Sequence, residues 1–403
     1  MARRPVLLSG VCVAAWAALA CQQTITAPGA CPEFCPTAQI EMVDSLLIGV
    51  IDQDTSYQGY VPAHTAILMQ VATGGGQESR VLLRFRRFGD AIPITTTATA
   101  PVVERDSFRL DLIVTRRSAD VSGLGITVYR IPTSIDSLTT FDAVAPFFDD
   151  SLIVGVVLVP EPDSTGSDTI STVLPAAAFP TFVEDAREIT IGLAIRSTTP
   201  LFATLGTEDG VRGAGITRFV KADSADGQLT PASDFRAVAF DTFVHTDPAP
   251  PQPATLTVGG TPSTRSFLRL NIPSFVIDSS QVLGAKLLLV PVEPVLGAPG
   301  DTFNLIANAL SADFGPKSPL LIALDSSAIG IPVAVGTSDT IALDITSILR
   351  RWQNNPDQVR TLVLRLRTEA ATFAELRVGS SQRVGAAPSL RVTYVPPFSL
   401  VQR

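Results

Sequence analysis

The chain reads as an all-β protein of two tandem antiparallel β-sandwich domains, jelly-roll-like, with one short helix in the second. Three observations predict this. Apolar and polar residues alternate over short runs, clusters of Pro, Gly, Asp and Ser separate the runs, and the whole pattern is written twice. Of 403 residues 46% are apolar and only 17% charged, which is too apolar for disorder, while 31 Pro and 28 Gly interrupt any long helical bundle.

The N-terminal element is an address. Arg3 and Arg4 precede an apolar run from Val6 to Ala20 that ends in small residues. A charged start, about 15 apolar residues and a small-residue end make an export signal, shorter than the roughly 20 residues of a membrane span. Ala18-Leu19-Ala20-Cys21 resembles the lipobox of bacterial lipoproteins. That resemblance implies cleavage after Ala20, diacylation of Cys21 and, with Gln22 next, an outer-membrane anchor; a plain secretory signal is the alternative. Several acyl chains at about 0.8 kcal/mol per buried CH₂ would hold the chain firmly. Losing Arg3 and Arg4 with residues 1–20, and no acidic residue, takes the formal charge from −8 to −10. Such an acidic body stands off an anionic membrane.

Residues 21–40, rich in Pro, Thr and Ala, read as a tether. Within them Cys31 and Cys35 are the two thiols left once Cys12 is discarded and Cys21 acylated, so an oxidising compartment predicts a short disulfide loop. A metal would need further Cys or His ligands nearby, and the tether has none.

Two copies of one architecture follow. Leu83, Arg84 and Phe85 match Leu268, Arg269 and Leu270, and Ile191, Leu193 and Ile195 match Leu362, Leu364 and Leu366. Asp54-Thr55 matches Asp241-Thr242, and Arg218-Phe219-Val220 matches Thr393-Tyr394-Val395, in the same order with drifting spacing. The domains are therefore placed at 41–221 and 237–397, joined by an Asp, Ser, Ala and Gly-rich linker at 222–236 and followed by a tail at 398–403.

Strands are predicted at Phe108 to Val114, Gly125 to Ile131, Leu152 to Val159, Lys286 to Val292 and Leu390 to Val395. Leu268, Leu270 and Ile272 alternate with Arg269 and Asn271, the signature of a strand with one face in the core. The helix is Ile345 to Gln353, which Asp344 can cap and whose Ile345, Ile348, Leu349 and Trp352 share one face. Trp352 is therefore read as core.

Asp241-Thr-Phe-Val, Ala254-Thr-Leu-Thr-Val-Gly-Gly, Arg265-Ser-Phe-Leu-Arg-Leu-Asn-Ile-Pro, Asp344-Ile-Thr, Trp352-Gln-Asn-Asn-Pro, Leu362-Val-Leu-Arg-Leu and Pro388-Ser-Leu-Arg-Val-Thr-Tyr together resemble the DNRLRE domain family. The first copy is similar through Asp54-Thr, Arg80 to Phe85 and Ile126-Thr-Val-Tyr-Arg-Ile; it lacks the helix, and neither copy carries the eponymous string. The family is related to jelly-roll carbohydrate-binding modules, so the resemblance implies that fold and, more weakly, a sugar ligand.

Chemistry-bearing motifs are sparse. Only His64 and His245 exist, both read as loop residues without partners, and lysine is limited to Lys221, Lys286 and Lys317, so neither zinc chemistry nor nucleic acid binding is expected. Gly-x-Ser-x-Gly, phosphate-loop and His-Glu-x-x-His motifs are absent. Asp163-Ser-Thr-Gly-Ser-Asp168 has oxygen ligands for calcium, but Asp, Ser and Gly equally make a hairpin turn, which is the preferred reading. Tyr57 and Tyr60 beside Asp54 are the candidates for a wet sugar platform, the alternative being an inward-facing Tyr57. Arg84, Arg86, Arg269, Arg365 and Arg367 either meet acidic glycans or pair with neighbouring acids across strands.

The expected protein is an exported lipoprotein of the cell envelope with no catalytic activity and no cofactor. Its expected role is structural or adhesive, with polysaccharide or another envelope protein as partner. The rivals are a polysaccharide-acting hydrolase or lyase and a pure spacer.

Overall fold

The computed structural model describes residues 42–397 apart from 97, 120, 162–167, 179–187, 211, 224–226, 322–326 and 328. In chain order its first strands are β1 (Val43–Leu47), β2 (Ile51–Gln58), β3 (Leu68–Gly74), β4 (Gln77–Phe85), β5 (Ala91–Pro93), β6 (Thr99–Arg117), β7 (Leu124–Arg130), β8 (Ile153–Val159), β9 (Asp168–Pro175), β10 (Ile189–Ile195) and β11 (Leu201–Gly206). They continue as β12 (Gly215–Asp223), β13 (Leu229–His245), β14 (Thr255–Gly259), β15 (Thr264–Leu270), β16 (Gln281–Leu289), β17 (Thr302–Ala309) and β18 (Ile331–Ala334). The last four are β19 (Ile341–Asp344), β20 (Thr361–Leu366), β21 (Glu375–Gly379) and β22 (Ser389–Val395). Short helices are α1 (Phe141–Val144), α2 (Ser274–Ile277) and α3 (Thr346–Asn354).

The all-β sandwich architecture is as the alternation predicts. Sandwich I is one large sheet in the order β13-β12-β6-β11-β3-β4-β10-β7-β8, folded so that β13 pairs again with β4, with β5 and β9 on β6. Sandwich II has a four-stranded sheet, β1-β22-β16-β19, and a seven-stranded one, β18-β17-β20-β15-β14-β21 with β2 on β15. Inward-facing Leu83, Phe85, Phe108, Leu110, Ile126, Ile191 and Leu193 form the core of the first. Leu268, Leu270, Leu362, Leu364 and Leu366 are likewise buried in the second. Trp352 is fully buried on α3, and Asp344 Oδ1 accepts from Thr346 N at 2.9 Å at the helix start. Single-turn α1 and α2 escape sequence reading because four residues cannot display a 3.6 period.

Two of the matched pairs recur across corresponding ladders. Ile191 opposes Leu83 in the β10–β4 ladder, and their counterparts Leu362 and Leu268 oppose each other in β20–β15. The first strands depart from the expected domains. β2, which precedes unit I in the chain, pairs with β15 of sandwich II, with Asp54 opposite Leu268. β13, its counterpart, pairs with β4 of sandwich I, with Asp241 opposite Leu83. Even the irregularity is shared: the register slips between Val238 and Phe240 in one ladder and opposite Ile51 and Gln53 in the other. The two units have exchanged their first strands.

This redraws the boundaries. The stretch expected as a linker at 222–236 contains the end of β12 and the start of β13, paired from Asp223 with Leu229 through Arg218 with Asp234. Its Asp, Ser and Ala content is that of an exposed edge strand, which proteins keep polar to prevent edge-to-edge association. Likewise 43–58 lies in sandwich II and 237–245 in sandwich I. An Arg–Asp pair holds each exchanged segment: Arg218 to Asp234 at 2.9 Å and Arg391 to Asp44 at 2.5 Å.

The sandwiches also share a core, since Ala298, Ala370 and Phe373 of the second pack into the apolar cluster of the first. Beside it lies a buried polar lock. Asp301, 1% exposed on its side chain, accepts from Gln70 Nε2 at 2.6 Å and from Thr302 N at 2.7 Å, and pairs with Arg116. Thr372 Oγ1 lies 3.1 Å from Asp301 and 2.9 Å from Gln70 Oε1. A charge removed from water needs this number of donors to be tolerated.

Candidate functional site

The face of sandwich II opposite its core carries the sequence-predicted tyrosines. Strand parity sets this: with Leu268 and Leu364 inward, Phe267 and Val363 point outward with Arg265, Arg269 and Arg365. Phe267, Val363 and Leu310 form a small apolar cluster there, with Tyr57 and Tyr60 packed against it. The Tyr57 ring meets Phe267 edge-on at 5.3 Å, and Tyr60 stacks on it at 6.4 Å. Tyr60 donates its hydroxyl to Pro316 O at 2.9 Å and lies under the Arg265 guanidinium at 4.1 Å, and burial pushes its phenol up. Tyr57 is therefore neither a free platform nor an inward core residue; it is half-buried at the rim of a groove of about 350 Å³. Asp52, Gln53, Arg269 and Gln382 complete the polar walls of that groove.

Asp54 also lines the groove, but its carboxylate accepts from Ser381 N at 2.5 Å. Its repeat partner Asp241 accepts from Glu208 N at 2.8 Å. In both units the Asp of the Asp-Thr pair thus pins the loop that follows another strand of the same sheet, β21 or β11. Recurrence of the same bond in both units makes Asp54 a structural clamp.

The arginines are engaged within the chain. Arg269 grips Asp313 through two nitrogens, at 2.6 and 3.1 Å, and this bond draws the Asp313 carboxyl down to about 2. Arg265 grips Glu369 through two nitrogens, at 2.7 Å for both contacts, and Arg365 reaches Glu369 at 3.5 Å and Asn308 at 3.0 Å. On sandwich I, Arg84 pairs with Glu188 at 2.9 Å and donates to Ile135 O at 2.8 Å. Most partners lie on covering loops rather than directly across a strand, so these arginines fasten loops to the sheets. Arg86 and Arg367 are exposed.

A second groove went unread in the sequence. Both histidines line one hollow of about 420 Å³ with Asp142, Asp247, Thr261 and Phe141. The His64 ring stacks on Phe240 at 6.1 Å, and His245 stacks on Phe373 at 5.6 Å. The expectation of partnerless histidines is corrected for His245: Nδ1 lies 3.0 Å from Thr246 O, and Nε2 bonds Thr261 Oγ1. The convergence follows from the strand exchange, which brings the end of β13 beside the turn after β2; nothing local in either segment announces it.

Cys21, Cys31, Cys35 and Asp163 lie outside the described residues, as does the side chain of Asp168. Among the described residues no three His, Cys, Asp or Glu side chains form a metal-binding group, and no helix is long and apolar enough to cross a membrane. No protein-family model matches the chain, and no curated protein matches it.

Proposed function

We propose that this chain is an exported envelope lipoprotein, anchored through Cys21, whose two DNRLRE-like sandwiches have a non-catalytic structural or adhesive role. The strand exchange carries this reading. Each sandwich is closed by a strand that belongs in sequence to the other, and the Asp301 lock is buried between them. Such an interlock resists separation and keeps one shape, which suits a molecule that bridges or presents. The clamped Asp54 supports the non-catalytic half of the reading, because glycoside cleavage takes two available carboxylates and the groove at Tyr57 is lined by Asp52 and Asp54 alone among acids.

Polysaccharide binding is the specific form of the adhesive role, and the groove at Tyr57 is its site, with an aromatic rim and amide and carboxylate walls. Affinity electrophoresis of the mature chain against neutral and acidic polysaccharides tests it. Retardation that Tyr57→Ala weakens at least several-fold is expected. Unchanged mobility with every glycan removes sugar binding and leaves the spacer role. Cys21→Ser is expected to abolish labelling by a palmitate analogue, and persistent labelling refutes the anchor.

A further inference from the structure

The matched arginines Arg80 and Arg265 are held differently. Val81 opposes Leu193 in the β4–β10 ladder as Ser266 opposes Leu364 in β15–β20, so the two side chains leave equivalent strand positions. On sandwich II, Arg265 Nε and Nη2 each donate to the Glu369 carboxylate at 2.7 Å, with Arg365 a further 3.5 Å contact. The spacing that matches Phe202 with Phe373 puts Thr198 in the place of Glu369 and Ala194 in the place of Arg365. Sandwich I therefore lacks that loop carboxylate, and it has a hollow of about 450 Å³ whose lining includes Arg80, Tyr129, Phe148, Ala194, Arg196 and Thr198. Glu78, in the place of Ser263, takes up Arg80 Nε at 2.7 Å and leaves the rest of the fork unserved. Among the described residues neither Nη atom of Arg80 has a hydrogen-bond partner; Nη1 is buried and Nη2 open. The Phe141 and Phe148 ring centroids each lie 4.4 Å from the guanidinium carbon, which holds the charge in place and strips part of its water. A guanidinium so covered and so incompletely paired is a costly group.

We propose that this hollow binds the carboxylate of a small organic acid, seated on Arg80 Nη2 as Glu369 Oε2 sits on Arg265 Nη2. A hydrogen bond between two charged groups beside aromatic rings is stronger than one in water, and the missing loop acid leaves the place for it. Tyr129 and Phe148 give an apolar surface to the body of the ligand, and Ser197 and Thr198 give hydroxyls. Glu78 shares Arg80 with the incoming acid and repels it. Arg196 is the offsetting cation: its 2.6 Å pairing with Asp150 joins two exposed side chains and is worth little, so it can turn to the ligand. This balance of charges points to weak binding, with a dissociation constant on the order of 1 mM. The site lies on sandwich I and is independent of the groove at Tyr57.

The test is saturation-transfer NMR on the mature chain, with benzoate and propionate as probes and benzamide and propionamide as uncharged controls of the same shape. Both acids are expected to receive saturation from the protein, and both amides to bind at least about ten-fold more weakly. Thr198→Glu, at an exposed position, rebuilds the loop carboxylate of sandwich II and is expected to abolish binding of both acids by filling the site from within the chain. Arg80→Gln is expected to weaken binding at least about ten-fold, the loss of one charged hydrogen bond. Because Thr198→Glu leaves the buried Arg80 in place, its result stands even where Arg80→Gln does not fold. Acid binding that Thr198→Glu leaves unchanged overturns the proposal, as do amides bound as tightly as their acids. Absence of transfer to either acid at roughly 20 mM, well above the expected dissociation constant, overturns it too.

Discussion

Cutting the chain between the sandwiches should not part them. The connection between β13 and β14 is an exposed, Pro-rich stretch, so a protease site placed between Pro250 and Gln252 disturbs no ladder. After cleavage the N-terminal fragment still owns β1 and β2, which sit in sandwich II. Withdrawing β2 breaks a ladder of seven residue pairs, whose hydrogen bonds are each worth about 1 kcal/mol net. It also exposes Val50 and Ile51, now 4% and 6% exposed, at roughly 1.5–3 kcal/mol each. With the Asp54 clamp, a charged hydrogen bond worth about 1.5–3 kcal/mol, the cost comes to roughly 12–16 kcal/mol, the scale of a whole domain's stability. The cleaved halves should therefore co-elute in size-exclusion chromatography and separate in urea only where the β-sheet signal of sandwich II is lost. Halves that separate in buffer, each with intact circular dichroism, would refute the exchange.

Further outcomes follow from single residues. Burial raises the Asp241 carboxyl from 3.8 to about 6, so the folded state holds a proton there that the unfolded state has lost. Its stabilisation is complete below about 3.8 and is lost as pH rises through 6, about 3 kcal/mol in all; Asp241→Asn should flatten that part of the urea-midpoint profile, and parallel profiles would contradict the assignment. Asp313 has the opposite sign: drawn down to about 2 by Arg269, it contributes stability above 3.8 that is lost as pH falls toward 2. Arg269→Met should remove that acid-side loss in a thermal melt series, and an unchanged profile would mean that the pair does not hold its loop. Asp301→Ala leaves Gln70 Nε2 and Thr302 N without their acceptor at the junction and should cost about 1–3 kcal/mol in chemical denaturation. A loss below 1 kcal/mol would show that the lock is hydrated in solution. Gly192→Val drives a side chain into Phe148, which lies 2.7 Å from a Cβ at that position, and should loosen the cover over Tyr129, seen as faster hydrogen exchange of 141–152.

Much of the fold was legible residue by residue. Alternation in Leu268 to Ile272 and in Leu362 to Leu366 identified strands and their buried face, because the two-residue period is local. Of the matched residues, Ile191 opposes Leu83 as Leu362 opposes Leu268. Trp352 and the helix were readable, the helix running Thr346–Asn354 where Ile345 to Gln353 is expected, because the 3.6-residue period is local. The candidate site was legible only in part: Tyr57 and Asp54 line one groove while Tyr60 packs on Phe267 outside its lining, and the clamp role of Asp54 depends on Ser381, as the grip of Arg269 depends on a loop acid 44 residues away.

By itself the sequence determined composition, strand faces, the helix and the existence of two matching units, since each rests on spacing along the chain. Only the tertiary structure decided which sandwich each first strand completes. A period-two pattern states which side of a strand is apolar and is silent about the strand beside it. β2 and β13 share the Asp-Thr pair and one register, but Ser56 faces Ser266 where Phe243 faces Val81, so the fit of each strand is decided by residues far off in the chain.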